Sequence, residues 1–380
     1  MLMKYRLFTP GPTSVPESTL LELAKPVHHH RTGEFRKMFA EVQTLLQYVY
    51  QTKQTVYTIT GSGTAAFEAG FTSTLSPGAK VLNITSGKFA ERWASYAKAF
   101  GCELTELKIP YGEHATPAMV EAELKKTRFD AVILVHSETS TATTCDLQGI
   151  ARVVRAAGDT LLFVDGITSI GALPFQMDEW GVDVAITGSQ KSLMLPPGLG
   201  YVALSERAHK ATASAKQKVF YLDLKKYEKS LADGDTPFTP ANTLIEAQLN
   251  SLRMIKDETI EGVWKRTATI AEAFRQGVIA LGFEIFSKTP ADSVSAVKYP
   301  AGIADKDFRG TLKAKHNIHV AGGQGTMEGT MFRVNHMGYT DAYDALAVVG
   351  AIEHTLKALG KPVDFGKGVA AAQKVLARLF

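Results

Sequence analysis

From about residue 55 onward, the chain alternates short runs rich in β-branched and apolar residues with longer stretches of helical periodicity. The β-rich runs are TVYTIT, KVLNIT, DAVILVH, TLLFVD and VDVAITG. Strands that alternate with helices in this way form βαβ units, in which the strands are parallel and helices cover both faces of the sheet. The sequence therefore predicts an α/β domain with a parallel or mostly parallel sheet.

A different pattern begins after roughly residue 250. A long helical stretch, residues 244–282, is followed by the short strands SVSAVKYP and GTMFRVNH and then by the helix AYDALAVVGAIEHTLKALG. This order predicts a smaller α+β unit that a long helix joins to the first domain. With 380 residues, the chain is long enough for two domains. We expect a large domain over residues 15–255 and a small domain over residues 256–380 together with residues 1–14.

Composition argues against several classes of function. The net charge is only +4, and no long basic run is interleaved with aromatic residues, so we expect no nucleic-acid partner. No segment approaches the roughly 20 apolar residues of a membrane span, and the first residues lack the pattern of a secretory signal. Two cysteines, Cys102 and Cys145, are too few for a disulfide framework or a zinc cluster. We expect a cytoplasmic protein.

The strand ends deserve attention because ligands of open α/β sheets bind beyond the carboxyl ends of the strands. After TVYTIT comes GSGTAAFEAG, a turn of glycine and hydroxyl residues that leads into a helix. Free N–H groups at a helix start favour a phosphate, although Ser62 or Thr64 in an ordinary turn would equally cap the helix. After KVLNIT, Phe89 is either a core residue or an aromatic plate at the same edge.

Two charged residues end the next buried strands. Asp165 ends TLLFVD, and Lys191 follows VDVAITG. Taken singly, Asp165 is consistent with a turn or cap residue, and Lys191 with a lysine that extends from a loop into solvent. A desolvated lysine, however, has a lowered pKa and becomes a nucleophile that forms a Schiff base. A phosphate turn, an aromatic plate, an anion and such a lysine are together what pyridoxal phosphate requires.

At this point the motifs GSGTAAFEAG, HSETST, VDGITSIG and TGSQKSLMLPPGLG, with the opening FTPGPTSVP, show a family resemblance. In this order they resemble the class V pyridoxal-phosphate-dependent aminotransferases of fold type I, closest to the alanine- or serine-glyoxylate and serine-pyruvate group. The resemblance implies an α/β large domain with a mostly parallel sheet of seven strands and a smaller α+β C-terminal domain. It also implies pyridoxal 5'-phosphate as the cofactor.

The resemblance assigns roles position by position. Lys191 would form the internal aldimine and shuttle a proton between the substrate α-carbon and the cofactor. Asp165 would pair with the pyridinium nitrogen, and Phe89 would stack on the ring where relatives often carry tryptophan. Arg333 of MFRVNHMG would bind the substrate carboxylate; its alternative is a strand arginine in a surface ion pair. The remaining cofactor contacts that the resemblance implies are Ser62, Gly63, Thr64, Thr139, Ile167 and Gln190.

In this family a segment like TPFTPANTL, residues 236–244, completes the phosphate site of the second subunit. Thr239 is then the residue that makes the contact across the interface. The resemblance therefore implies an obligate homodimer with shared active sites.

The segment around His28, His29, His30 and Arg31 is the most unusual polar cluster. Consecutive residues of an extended chain point to alternate sides, so three adjacent histidines cannot all reach one ion, and we expect no metal site. In related enzymes this segment lies near the mouth of the active site. A role in substrate choice and a plain structural role both stay open.

These assignments predict transamination between a small L-amino acid (alanine, serine or aspartate) and a 2-oxo acid (glyoxylate or pyruvate), with ping-pong kinetics. Transamination of 2-aminoethylphosphonate is the first alternative, because a TPGPT-type start also occurs there. Cysteine desulfuration or another lyase reaction is the second, although no cysteine follows Cys145. A non-catalytic binding role would be supported by a missing Lys191 or Asp165, and both are present.

Overall fold

A computed structural model describes residues 3–380 of the chain. The strands are β1 (Arg6–Leu7), β2 (Val56–Thr60), β3 (Lys80–Thr85), β4 (Glu103–Lys108), β5 (Ala131–Val135), β6 (Ser137–Glu138), β7 (Thr143–Thr144), β8 (Leu161–Asp165), β9 (Val184–Gly188), β10 (Leu199–Leu204), β11 (Glu284–Ile285), β12 (Val294–Lys298), β13 (Ile318–His319), β14 (Ala321–Gly322) and β15 (Met331–Asn335). The helices are α1 (Glu17–Glu22), α2 (Gly33–Tyr50), α3 (Gly63–Thr74), α4 (Lys88–Ala99), α5 (Pro117–Leu124), α6 (Leu147–Ala156), α7 (Met177–Trp180), α8 (Glu206–Thr212), α9 (Leu224–Leu231), α10 (Asn242–Glu258), α11 (Ile260–Ala280), α12 (Asp305–His316), α13 (Ala342–Ala358) and α14 (Lys367–Leu376).

The large sheet has seven strands in the order β2-β10-β9-β8-β5-β3-β4. Its central strands β5, β8 and β9 are buried along their whole length, which explains their continuous apolar sequences. All pairs are parallel except those of β10, which runs antiparallel to β2 and β9. The predicted α/β fold with a mostly parallel sheet is therefore confirmed.

The short link between β9 and β10 accounts for the one antiparallel strand. Only residues 189–198 separate the two strands, whereas a parallel return needs a crossover of a dozen or more residues. The link therefore turns back at the carboxyl edge of the sheet, and it carries Lys191 there.

The C-terminal part contains a second, antiparallel sheet of four strands in the order β11-β12-β15-β14. Helices α11 to α14 pack with it around a core of their own, which includes Phe274, Phe308 and Phe332. Phe8, from the N-terminal segment, is buried in this core, and β1 pairs with β13. We retain the division at residues 255 and 256, with residues 1–14 in the small domain, as a proposal; Met1 and Leu2 lie outside the described residues.

The single long helix predicted over residues 244–282 is wrong. The structure has two helices, α10 and α11, separated at Thr259, whose φ angle is +69°. A β-branched residue in this conformation cannot continue an α-helix. The Thr259 hydroxyl instead caps α11 by accepting a hydrogen bond from the N–H of Gly262 at 3.1 Å. No helix within residues 3–380 is both long enough and apolar enough to cross a bilayer.

Candidate active site

The turn between β2 and α3 presents free polar groups at the carboxyl edge of the sheet. Ser62 is at the N-cap position of α3, but in the described structure its hydroxyl caps no N–H of the helix. There is no room for a side chain at Gly63, because a Cβ there would lie 2.8 Å from Cδ1 of Ile167 and 3.6 Å from the carbonyl oxygen of Thr187. Thr64 is half-buried in the first turn. The turn offers a helix N-terminus to an anion.

Gln190 lies beside this turn. A Cβ added at Gly188, the last residue of β9, would lie 2.9 Å from Oε1 of Gln190 and 3.5 Å from the main-chain nitrogen of Gly63. The Oε1 atom is buried and has no hydrogen-bond partner among the residues that the structure describes. Buried polar atoms in proteins are nearly always paired, so this amide is suited to a ligand.

Asp165 ends β8 and is almost completely buried. Its Oδ1 accepts a hydrogen bond from the N–H of Ile167 at 2.9 Å, and its Oδ2 accepts one from Nε1 of Trp93 at 2.8 Å. Burial raises the pKa of Asp165 to about 6, although both hydrogen bonds lower it. The carboxylate is thus desolvated, and two N–H donors fix its orientation.

Lys191 follows β9, the parallel neighbour of β8, at the same edge of the sheet. Its Nζ donates a hydrogen bond of 2.6 Å to the carbonyl oxygen of Pro10. Burial lowers the pKa of Lys191 to about 8, the charge of Asp165 raises it, and Arg333 and Arg92 lower it. Close to neutral pH, an appreciable part of this amine is therefore unprotonated and nucleophilic.

Arg333 is buried on β15, and its side chain reaches the segment that follows β6. Its Nε donates to the carbonyl oxygen of Gly322 and its Nη1 to that of Thr139, each at 2.9 Å. Burial lowers the pKa of Arg333 to about 10, against the charge of Glu138, which raises it. No carboxylate forms an ion pair with Arg333 in the described part of the chain. The alternative of a surface ion pair is therefore wrong.

Thr139 and Phe89 lie on segments that meet near Arg333. The Thr139 hydroxyl is 3.0 Å from that of Thr168. Phe89 is half-buried in the first turn of α4, and the guanidinium of Arg92 lies 5.1 Å from its ring centroid. Their roles against a cofactor ring stay predictions.

Thr239 is exposed on the surface of the subunit. Its neighbour Ala241 donates an N–H to the hydroxyl of Thr60 at 3.1 Å, which fixes the segment beside the end of β2. The contact across an interface, predicted for Thr239, stays a prediction.

The histidine segment packs against α10 and the loop before it. His28 Nδ1 lies 3.3 Å from Glu246, and Arg31 Nε lies 3.7 Å from Asp235. His30 is buried and stacks on His29. Within residues 3–380, no group of three or more histidine, cysteine or acidic side chains is arranged to hold a metal ion.

Sequence reasoning missed three contributors to this site. Trp93 reads as an ordinary apolar position on α4, and Glu138 gives no signal of burial, yet Trp93 binds Asp165 and Glu138 accepts the N–H of Ala90 at 3.0 Å. Pro10 belongs to the motif FTPGPTSVP, and no feature of that motif indicates that the Pro10 carbonyl holds the lysine amine.

Comparison with known proteins gives the family. The profile described as "Aminotransferase class-V" matches residues 8–342. The chain is 40% identical to the soluble hydrogenase small subunit of Synechococcus sp. PCC 6716, over 98% of each sequence. It is 35% identical to the L-aspartate–glyoxylate aminotransferase of Paracoccus denitrificans, over 97% of this chain and 95% of that protein.

Solved structures agree with this relationship. The ureidoglycine–glyoxylate aminotransferase of Bacillus subtilis superposes with a TM-score of 0.93 at 28% identity and covers 99% of both chains. With the lysine, the aspartate and the helix start gathered at one edge of the sheet, the profile match and these relatives show that the chain belongs to the class V aminotransferases.

Proposed function

We propose that this aminotransferase uses pyridoxal 5'-phosphate to move the amino group of alanine, serine or aspartate to glyoxylate or pyruvate, with ping-pong kinetics. The observation that carries the proposal is the pair formed by the buried Asp165 and the half-buried Lys191. Burial pushes both pKa values towards neutrality, to about 6 and about 8. Such perturbed pairs in a cleft are typical of groups that exchange protons during catalysis.

The residues present fit this cofactor. Ser62, Gly63, Thr64 and Gln190 would hold the phosphate, since the turn has an uncapped helix start, a glycine that leaves room and an unpaired amide oxygen nearby within the described structure. Asp165 would meet the pyridine nitrogen. When bound, pyridoxal phosphate supplies an electron sink for negative charge on the substrate α-carbon. The ring contacts would come from Phe89, Thr139 and Ile167.

Lys191 would act as the base. Its amine is held by the carbonyl of Pro10 and has a lowered pKa, so it can accept the proton of the substrate α-carbon. The proton then resides on Nζ, from which it is returned to complete the transfer.

Arg333 would bind the substrate carboxylate. The carbonyls of Gly322 and Thr139 engage its Nε and Nη1, so the planar group is held rigidly while further donors remain for a ligand. A guanidinium fixed in this way suits bidentate recognition of a carboxylate. Because every α-amino acid carries this carboxylate, the contact orients the substrate without selecting its side chain.

A homodimer is supported by aromatic side chains on the surface near the β2–α3 turn. Phe220 is 72% exposed and Tyr221 is 42% exposed, and the Tyr221 ring stacks on Phe238 at 5.0 Å. The Tyr221 hydroxyl donates to the carbonyl of Thr60 at 3.4 Å. Clustered exposed aromatic residues are typical of interfaces. We propose that this surface meets a second subunit, that Thr239 then completes the partner's phosphate site, and that the dimer acts in the cytoplasm.

The relatives are named for different activities. Two of the curated relatives are named for hydrogenase, and others for transfer from aspartate or serine to glyoxylate. The arrangement of Lys191, Asp165 and Arg333 supports transamination. We therefore propose for this chain the amino-group transfer for which the aminotransferase relatives are named, and not a hydrogenase activity. Transfer from 2-aminoethylphosphonate, or another reaction of the class V enzymes, stays the alternative.

The deciding experiment is near-ultraviolet and visible absorbance of the purified protein with pyridoxal phosphate. We expect a yellow band that one of L-alanine, L-serine, L-aspartate or 2-aminoethylphosphonate bleaches and that glyoxylate or pyruvate restores. Lys191→Ala should lack the band, whereas Lys225→Ala, which removes an exposed lysine of α9, should retain it. A wild-type protein without the band would overturn the proposal, and bleaching by 2-aminoethylphosphonate alone would establish the alternative.

A further inference from the structure

The carboxylate of Asp165 has a side-chain partner that the proposed reaction does not use. The indole Nε1 of Trp93 donates to its Oδ2 at 2.8 Å. Trp93 is 1% exposed and Asp165 is 3% exposed, so neither group can replace this bond with water. A hydrogen bond between a neutral donor and a buried carboxylate is stronger than one between neutral groups.

The position of Trp93 is itself fixed. Its ring stacks on Phe67, with centroids 3.7 Å apart and an angle of 13° between the planes. The start of α4, which carries Trp93, is anchored because the Glu138 carboxylate accepts the N–H groups of Phe89 at 3.4 Å and Ala90 at 3.0 Å. The indole N–H therefore has one available direction, towards Asp165.

We propose that Trp93 is a positioning residue that holds the Asp165 carboxylate in place, and in its ionised form, for the pyridine nitrogen of the cofactor. The inference rests on the proposed function, because the cofactor contact of Asp165 is part of that proposal. The N–H of Ile167 fixes Oδ1, and Trp93 fixes Oδ2, so the plane of the carboxylate is determined by two donors.

The energetic reason is the burial of Asp165. Desolvation favours the protonated acid, which carries no charge to pair with the pyridinium nitrogen, while a donor to the charged form opposes that effect. Without the indole N–H, the pKa of Asp165 would rise further towards neutral pH. A smaller fraction of the enzyme would then carry the anion that the ring nitrogen needs.

Other charged groups lie near Trp93 and Asp165, and their effects on the pKa of Asp165 must be distinguished from that of Trp93. Glu138 raises the pKa of Asp165 and Lys191 lowers it. On the other side of Trp93, the Tyr96 hydroxyl donates to Glu68. Variants of Asp165 and Lys191 therefore serve as separate arms of the test.

The chain offers a direct readout, because it contains only three tryptophans, Trp93, Trp180 and Trp264. Protein labelled with ¹⁵N-tryptophan should give three indole N–H signals, and the one lost in Trp93→Phe belongs to Trp93. In the cofactor-free full chain we expect this signal to follow a titration near pH 6, the pKa of Asp165. The titration should disappear in Asp165→Asn and persist in Lys191→Ala. Trp264, whose Nε1 has no partner among the described residues, should give a constant signal.

The loaded enzyme provides the second arm. Trp93→Phe preserves the stacking on Phe67 but removes the donor, so we expect kcat and cofactor affinity to fall about tenfold, as for the loss of one hydrogen bond to a charged group. KM for the amino acid should stay within about twofold, because Arg333 binds the substrate separately. Trp264→Phe should match the wild type.

The two proposals fail in different ways. A wild-type protein that never binds pyridoxal phosphate would overturn the proposed function, whatever the indole signals do. An active wild-type enzyme whose Trp93 signal does not change with pH would overturn the positioning role, and so would a Trp93→Phe enzyme with the wild-type kcat. Should Trp93→Phe fail to fold, the Asp165→Asn variant still provides the test. The one indole signal that no longer titrates in that variant is then assigned to Trp93, and its loss of titration shows the contact with Asp165.

Discussion

The amine of Lys191 lies 2.6 Å from the carbonyl oxygen of Pro10, so the N-terminal segment forms part of the wall around the reactive nitrogen. The Thr13 hydroxyl also donates to the main-chain carbonyl of Lys191, at 2.9 Å. Between these two contacts is Gly11, where a Cβ would overlap Nζ of Lys191 and lie 2.5 Å from its Cε. The position of the amine therefore depends on a glycine 180 residues away in sequence.

The first prediction concerns that glycine. Gly11→Ala should displace the Lys191 amine and lower kcat about a hundredfold, since a misplacement of about 1 Å at a reacting group costs that much. Its φ of +152° adds backbone strain for alanine. Steady-state kinetics and the yellow band would show the effect. Gly310→Ala, on the exposed face of α12 with no atom within 4 Å of the new Cβ, is the control and should keep full activity. Normal turnover by Gly11→Ala would contradict the prediction.

The second prediction concerns stability against pH in the cofactor-free protein. The pKa of Asp165 is raised from 3.8 to about 6, so the folded state binds this proton more tightly and stability is lost as pH rises through that window. At about 1.4 kcal/mol for each tenfold change in proton affinity, the cost at pH 7 is on the order of 3 kcal/mol. Asp165→Asn removes this ionisation. The difference in free energy of unfolding between the variant and the wild type should therefore grow in favour of the variant between pH 4 and pH 7.

Urea denaturation at several pH values measures this difference. Asp257→Asn is a suitable control, because Asp257 is an exposed residue of α10. A difference for Asp165→Asn that is constant over the whole pH range would show that the buried carboxyl keeps its ordinary pKa.

The third prediction concerns Arg333. Arg333→Lys retains the charge but loses the planar group held by Gly322 and Thr139, so KM for the amino acid should rise about tenfold to a hundredfold. Amines without a carboxylate should be affected little, which a comparison of paired substrates would reveal. Arg378→Lys, at an exposed ion pair with Glu272, should leave KM unchanged. Equal losses for both substrate types would argue against carboxylate binding by Arg333.

The fourth prediction concerns the exposed aromatic surface. Phe220→Glu places a charge where we propose that the second subunit packs, so sedimentation should show monomers and cofactor affinity should fall. Tyr343→Glu on α13 is the matched control, because Phe220 and Tyr343 are both 72% exposed. Dissociation by both variants, or by neither, would be inconsistent with an interface at Phe220.

Sequence reasoning was sufficient for features that depend on local periodicity and strand order. The buried runs that became β5, β8 and β9 indicated a parallel sheet, and parallel strands bring their carboxyl ends to one edge. Asp165 and Lys191 could therefore be placed together without knowing any long-range contact. For the small domain, the sequence predicted the strands SVSAVKYP and GTMFRVNH but not how they pair. In the structure they contain the antiparallel neighbours β12 and β15.

The features that sequence reasoning missed depend on tertiary packing. A tryptophan on an amphipathic helix indicates core burial, but the direction of its N–H is set by Phe67 and by a strand end 72 residues away. The sequence does not indicate the break at Thr259, because threonine is also found within helices. Only its positive φ angle in the structure shows that the helix ends there. The contact of Pro10 with Lys191 joins residues 181 apart, which no periodic pattern reports.

The link between β9 and β10 has a further consequence for how the enzyme moves. Ser189 accepts the N–H of Leu195 at 3.1 Å and donates its own N–H to Leu199 at 2.9 Å, so the link is closed at its base between two strands of the central sheet. Local opening is confined to segments with few such bonds. The amide protons of Ser189 and Leu195 should thus exchange with solvent slowly, although both residues belong to a loop. The main chain that carries Lys191 is therefore held at its base by the central sheet itself.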